Sequence, residues 1–154
     1  MDFVMDAYGR GGLTPQTRSQ SDGLSDRVEL RLPAEAEQIP LVRTLTHGVV
    51  ARADFGLDAI SDAKMAVDEA CSQLVQPAEL GAVLCCVFHE IPEGIAVSIS
   101  TRTSKPYLPS ETTFGWHVLT TLTGSATARC EPIPGELGGT TTIELVLTPG
   151  TSDG

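Results

Sequence analysis

The stretch Ala66-Val67-Asp68-Glu69-Ala70-Cys71-Ser72-Gln73-Leu74-Val75 carries the most information in this chain. Set on a helix at about 100° per residue, Val67, Cys71 and Leu74 cluster on one side and are expected to face a core. Glu69 and Gln73, four residues apart, fall together on another side, next to Ala66 and Asp62. A carboxylate there can accept a proton from, or orient, an attacking hydroxyl. An amide oxygen beside it can reach a metal ion or a phosphate-bound water. On the residues alone the pair reads first as a solvated helix face, since Glu and Gln are good helix formers.

Working outward, the helix is expected to run from a cap at Asp58 to about Val75, with Ile60, Ala63, Val67, Ala70, Cys71 and Leu74 as its apolar stripe. Gly56 separates it from an earlier helix over about Ala34 to Ala53, where Ile39, Val42, Leu45, Val49 and Val50 approach helical spacing and Pro40 belongs in the first turn. Before that, Val28-Glu29-Leu30-Arg31-Leu32 alternates as a half-buried strand ended by Pro33. After the informative helix, Ala82 to Phe88 is a near-continuous apolar run that suits a central strand. Ile91-Pro92-Glu93-Gly94 turns it into a partner strand marked by Ile95, Val97 and Ile99. A polar loop is expected over 101–112. A short helix follows over about Thr113 to Leu122, with Phe114, Val118, Leu119 and Leu122 inward, and then strands over Ala126–Cys130 and Thr140–Leu147. The order strand, helix, helix, strand, strand, helix, strand, strand predicts an α+β, two-layer sandwich whose mixed or antiparallel sheet carries helices on one face.

The chain has 154 residues, 41% of them apolar, which suits one domain. Residues 1–26, rich in Gly, Ser, Gln and Asp, read as a flexible tail, 27–148 as the folded unit and 149–154 as a second tail. No apolar run approaches the roughly 20 residues that span a bilayer, and the N-terminus lacks the pattern of a signal peptide. A cytoplasmic protein with no membrane contact is expected. Lys and Arg number 10 against 20 Asp and Glu, a formal net charge of −10, which argues against direct nucleic-acid contact. It suits a basic protein partner, and equally a surface that is merely soluble. Cys71, Cys85, Cys86 and Cys130 form no C-x-x-C pair. Cys85 and Cys86 are expected to point to opposite faces of a strand, and buried reduced thiols are a better reading than a metal site with His89. His47 and His117 stand beside no nucleophile in a recognisable spacing. His117 is expected to be partly buried, and Trp116 to pack or anchor an interface.

The segment Asp68-Glu69-Ala70-Cys71-Ser72-Gln73, in this order of elements, resembles the E-A-x-x-N-A helix of the GHKL ATPase superfamily in its anti-sigma serine kinase branch. Phe114-Gly115-Trp116-His117-Val118-Leu119-Thr120-Thr121-Leu122 looks like the glycine-led helix that closes the nucleotide pocket there, and Gly138-Gly139-Thr140-Thr141-Thr142-Ile143-Glu144-Leu145 like the strand that ends such domains. The likeness covers almost the whole folded unit and is closest to RsbW-type anti-sigma factors of actinobacteria.

The resemblance implies a Bergerat-like fold. Glu69 would be the catalytic base and Gln73 would stand where an Asn holds magnesium. Thr101, Thr103, Gly115 and Thr141 would sit at an ATP or ADP site, and Arg43 would hold sigma. The departures weigh against turnover. Gln is one methylene longer than Asn. The stretch Ser98 to Lys105, where the family has D-x-G-x-G, offers no acid and no glycine, leaving Thr101 or Thr103 as weaker adenine contacts and Lys105 or Arg102 as candidate phosphate contacts. Without the metal ligand, charge developing in phosphoryl transfer is not neutralised.

The expected function is therefore an anti-sigma factor with a degenerate ATP site. It would sequester a stress-response type sigma factor and be relieved by a STAS-type anti-anti-sigma protein through partner switching. The alternative is an active ATP-dependent serine/threonine kinase acting on that antagonist. A homodimer is implied, and the strand around Leu30 is a candidate for pairing across it. A nucleotide-independent scaffold is the reading from another class.

Overall fold

The alternating stretch from Val28 forms a strand in the computed structural model of the chain, which describes residues 2–6, 13–16 and 27–150, with side chains over 27–150. In chain order the strands and helices are β1 (Asp2–Asp6), β2 (Leu13–Gln16), β3 (Val28–Pro33), α1 (Ile39–Arg52), α2 (Leu57–Val75), β4 (Val83–Ile91), β5 (Gly94–Thr103), α3 (Phe114–Leu122), β6 (Ser125–Pro132) and β7 (Gly139–Leu147). From β3 onward this is the order expected from the sequence.

Five antiparallel strands, in the spatial order β3-β4-β5-β7-β6, form the body of the sheet. Alternation sorts their side chains. Leu30 and Leu32, then Leu84, Cys86 and Phe88, then Ile95, Val97 and Ile99, then Ile143, Leu145 and Leu147 are all buried on the helix side. Against them pack Val42, Val49 and Val50 of α1, the α2 stripe, and Trp116 and Leu119 of α3. The result is an α+β two-layer architecture, consistent with a GHKL-like fold.

Each helix starts for a local reason. A 3-10 turn over Ala36–Gln38 leads into α1, so the helix proper begins at Ile39 rather than Ala34, with Pro40 in the first turn where its missing N–H costs nothing. α2 is capped by Gly56, not by Asp58, which lies inside the first turn and favours the positive end of the helix dipole instead. α3 starts from Thr113, whose Oγ1 accepts a hydrogen bond from the Trp116 backbone N–H at 3.1 Å. The β4–β5 hairpin closes through Pro92 and Glu93 with Ile91 opposite Gly94. Gly94 has φ of +147°, and a Cβ there would run into the Leu147 carbonyl.

Several expectations need correction. The polar loop expected from residue 101 begins later, because β5 continues to Thr103 in register with β7, Thr103 opposite Gly139. Threonine is β-branched and pairs well at sheet positions, so its polarity misled the reading. Phe114, expected inward, is 71% exposed, and His117, expected partly buried, is exposed. Trp116 is the buried aromatic of α3 instead. The β3 edge, expected to be open around Leu30, carries β1 in parallel, Met5 opposite Leu30, with β2 antiparallel to β1 beyond it. These two strands fall inside the stretch read as a tail. Residues 1, 7–12, 17–26 and 151–154 of the expected tails lie outside the described residues. At the other end, the Pro149 carbonyl accepts from the Gly56 N–H at 3.3 Å.

Candidate functional site

Helix α2 places Glu69 and Gln73 on its α3 side because the buried stripe of Ala63, Val67, Ala70, Cys71 and Leu74 fixes its rotation over the sheet. Both side chains are half-buried. The Gln73 amide Nε2 donates to Glu69 Oε2 at 3.0 Å. Above them lies Gly115, in the first turn of α3. A Cβ at that position would sit 2.5 Å from Glu69 Oε2 and 2.7 Å from Gln73 Nε2. The absence of a side chain at residue 115 is what lets α3 close down on the pair.

The threonines expected near a nucleotide have their hydroxyls engaged with backbone. Thr101 is buried and its Oγ1 donates to the Val83 carbonyl at 2.9 Å. Thr103 Oγ1 donates to the Gly139 carbonyl at 3.3 Å, and Thr141 Oγ1 to the Tyr107 carbonyl at 2.7 Å. Thus the structure brings Glu69, Gln73 and Gly115 together, while Thr101, Thr103 and Thr141 bind the ends of strands and the following segment. Arg102 faces Glu79 at 3.4 Å and Glu136 at 2.5 Å, and Lys105 is exposed. A cavity of about 300 Å³ opens on the β6 side of α3, lined by Leu108, Pro109, Ser110, Glu111, Trp116 and Ala128.

Magnesium takes oxygen ligands, and with the Gln73 NH₂ turned towards Glu69 Oε2 the oxygens this pair could offer it are the Gln73 amide oxygen and Glu69 Oε1. The Thr101, Thr103 and Thr141 hydroxyls give their protons to backbone carbonyls, so they could meet a nucleotide only as acceptors. Among the described residues no group of three or more His, Cys, Asp or Glu could hold a metal ion.

On the other side of α2, Arg43 of α1 donates through Nε to Asp68 Oδ2 at 2.8 Å. The Arg43 side chain is 44% exposed and that of Asp68 31%. The second carboxylate oxygen, Asp68 Oδ1, is buried without a hydrogen-bond partner. Sequence reading singled out Arg43 and missed Asp68. The available signal was that Asp68 lies about 100° from Glu69 around the helix and so faces a different neighbour. His47 is exposed, with its Nδ1 3.3 Å from Lys64 Nζ.

All four cysteines are free thiols. Cys86 points into the core, where a hydrogen bond with Cys71 and then burial push its thiol well above the ordinary range. Cys85 points to the open face. There burial, and after it the negative charge of Glu29, push its thiol up to about 11, against a smaller opposing effect of Arg31.

The fold is an α+β architecture consistent with a GHKL-like domain, and it places Glu69 and Gln73 of α2 beneath Gly115 of α3. Comparison with known proteins narrows the class. The chain is 34% identical over 95 residues to the anti-sigma-F factor RsbW of Mycobacterium tuberculosis, covering 62% of this chain and 56% of that protein. It is 39% identical over 82 residues to the serine-protein kinase RsbW of Staphylococcus epidermidis, covering 50% of this chain and 51% of that protein. To the serine-protein kinase RsbW of Bacillus cereus it is 40% identical over 53 residues, 34% of this chain and 33% of that protein. The chain is thus similar to RsbW-type anti-sigma factors, and the matches span about half the length of these curated relatives or less. No family model matches it.

Proposed function

We propose that this chain is an anti-sigma factor. It binds and sequesters an alternative, stress-response type sigma factor in the cytoplasm, and a STAS-domain anti-anti-sigma protein relieves it by competing for the same inhibitor. The observation that carries this reading is the combination of similarity to an anti-sigma-F factor with a Glu69–Gln73 pair that satisfies itself beneath Gly115. Nucleotide binding is weak and kinase turnover poor or absent, because Gln73 stands where the resemblance places a shorter Asn as magnesium ligand, and the Thr101, Thr103 and Thr141 hydroxyls already donate to backbone carbonyls. The net charge of −10 supports a partner with basic surface. The described helices include none long and apolar enough to cross a membrane. A homodimer is part of the proposal, with the covered β3 edge leaving the contact to other surfaces.

The test is a pull-down with the tagged full chain from the cells that express it. Recovery of one sigma factor at defined stoichiometry is the expected result, and recovery of none overturns the proposal. The kinase alternative is favoured by the names of two relatives. It predicts magnesium-dependent ATP binding and phosphate transfer to the STAS protein. A titration with and without magnesium decides, and Gln73→Asn is expected to raise magnesium-dependent binding if the extra methylene is what displaces the ligand oxygen.

A further inference from the structure

The cavity of about 300 Å³ beside α3 is separate from the Glu69–Gln73 pair. Gly115 covers the pair, while its neighbour Trp116 turns to the cavity on the β6 side. The outer wall, formed by the segment before α3, is pinned at both ends. The Thr141 hydroxyl donates to the Tyr107 carbonyl at 2.7 Å. The Thr113 hydroxyl donates to the Ser110 carbonyl at 3.0 Å and accepts from the Trp116 backbone N–H at 3.1 Å, which ties wall to floor. Between these ties Pro109 is buried and restricts the backbone. A cavity held in this way is formed before any ligand arrives.

The lining combines two chemistries. Trp116, Leu108, Pro109 and Ala128 give an apolar interior, with the buried indole as its largest surface. Glu111 is the one charged side chain of the lining, and among the described residues no Lys, Arg or His forms an ion pair with it. We propose that this cavity binds a small organic ammonium ion, with the apolar group against Trp116 and the charge at Glu111. The face of the indole attracts a cation as well. An anion such as a nucleotide phosphate would meet only the like charge of Glu111, in a chain of formal net charge −10. A bare metal ion would find a single carboxylate, too few oxygens to replace its water. The inference stands apart from the anti-sigma reading, because neither Glu69 nor Gln73 takes part in it.

Trp116 is the chain's single tryptophan, so the site carries its own reporter. The test titrates the full chain with benzylammonium chloride and, in parallel, with the neutral benzyl alcohol, at constant ionic strength, reading tryptophan fluorescence and amide NMR shifts. A saturable fluorescence change with a Kd of about 1 mM is expected for the ammonium ion, an ordinary value for so small a ligand. Amide shifts are expected to centre on residues 107–116 and on β6 around Ala128. Glu111→Gln, at an exposed position, is expected to weaken ammonium binding by about two- to fivefold and to bring it level with the alcohol. Ala128→Leu, which fills the cavity, is expected to abolish saturation; if that variant unfolds, the map of shifts in the wild-type chain decides in its place. No saturable change up to about twentyfold above the expected Kd overturns the proposal. So does benzyl alcohol binding as tightly as the ammonium ion to the wild-type chain, undiminished ammonium binding by Glu111→Gln, or a set of shifts centred elsewhere on the molecule.

Discussion

Asp68 and Glu69 are neighbours on one helix, and the fold uses them in opposite ways. Asp68 looks towards α1, where it forms a half-exposed ion pair with Arg43 Nε. Glu69 looks towards α3, where its half-buried carboxylate accepts from the Gln73 amide beneath the backbone of Gly115. A rotation of about 100° around the helix axis separates a half-exposed ion pair from a pair covered by a neighbouring helix. A sequence motif therefore does not identify a working site by itself. What stands opposite each residue decides, and here the opposite element differs for every side of α2.

The largest expected effect tests whether the two sides share one support. Leu74 is fully buried in the stripe beneath both. Leu74→Ala is expected to cost about 2–5 kcal/mol in urea unfolding, through lost burial and the cavity left behind. Partner binding is expected to fail with it. Retained binding on a destabilised fold would show that the α1 side holds its shape independently.

Next in size comes the closed side. Gly115→Ala drives a methyl group against Glu69 Oε2 and Gln73 Nε2. It is expected to cost about 1–3 kcal/mol, and to cost less in a Gln73→Ala background, where one obstructing group has gone. The double-mutant cycle measures the coupling. Additive costs would mean that α3 does not rest on the pair. On the open side, Asp68→Asn is expected to change stability by less than about 1 kcal/mol, because a half-exposed ion pair contributes little to folding.

The legibility of the fold follows the same division. Element order was readable because α2 and the sheet carry long apolar periodicities, and Val67, Cys71 and Leu74 fall inward as their spacing requires. Where a residue's side is set by one turn, reading was less secure. Phe114 begins α3 on the exposed side, and Thr101 and Thr103 continue a strand although their polarity suggested a loop. Of the candidate site, the proximity of Glu69 and Gln73 was legible from an interval of four. Their closure under Gly115, and the pairing of Asp68 with Arg43, depend on which helices face α2, and no local pattern encodes that.

The smallest effect concerns a second pair of neighbours on opposite sides, Cys85 and Cys86 of β4. Cys86 is sealed in the core, while Cys85 lies half-buried on the outer face beside Glu29 and Arg31. With its thiol pushed up to about 11, Cys85 is almost wholly protonated at pH 8, where an ordinary thiol is about one-tenth ionised. Alkylation of Cys85 by iodoacetamide, followed at that residue by peptide mass analysis, is expected to be about a hundredfold slower in the native chain than in the unfolded chain at this pH, with the rate climbing towards pH 11. The sign for stability follows from the same shift. The folded-state value lies above the unfolded one, so the contribution is intact below about pH 9 and is lost as pH rises through about 11. Cys85→Ser removes this part of the alkaline decline. Glu29→Gln lessens it, because the carboxylate is the second cause of the shift after burial. Rapid modification of Cys85 at pH 8 in the folded chain would mean that the outer face opens far enough to hydrate the thiol, and the contrast between the two sides of the sheet would weaken accordingly.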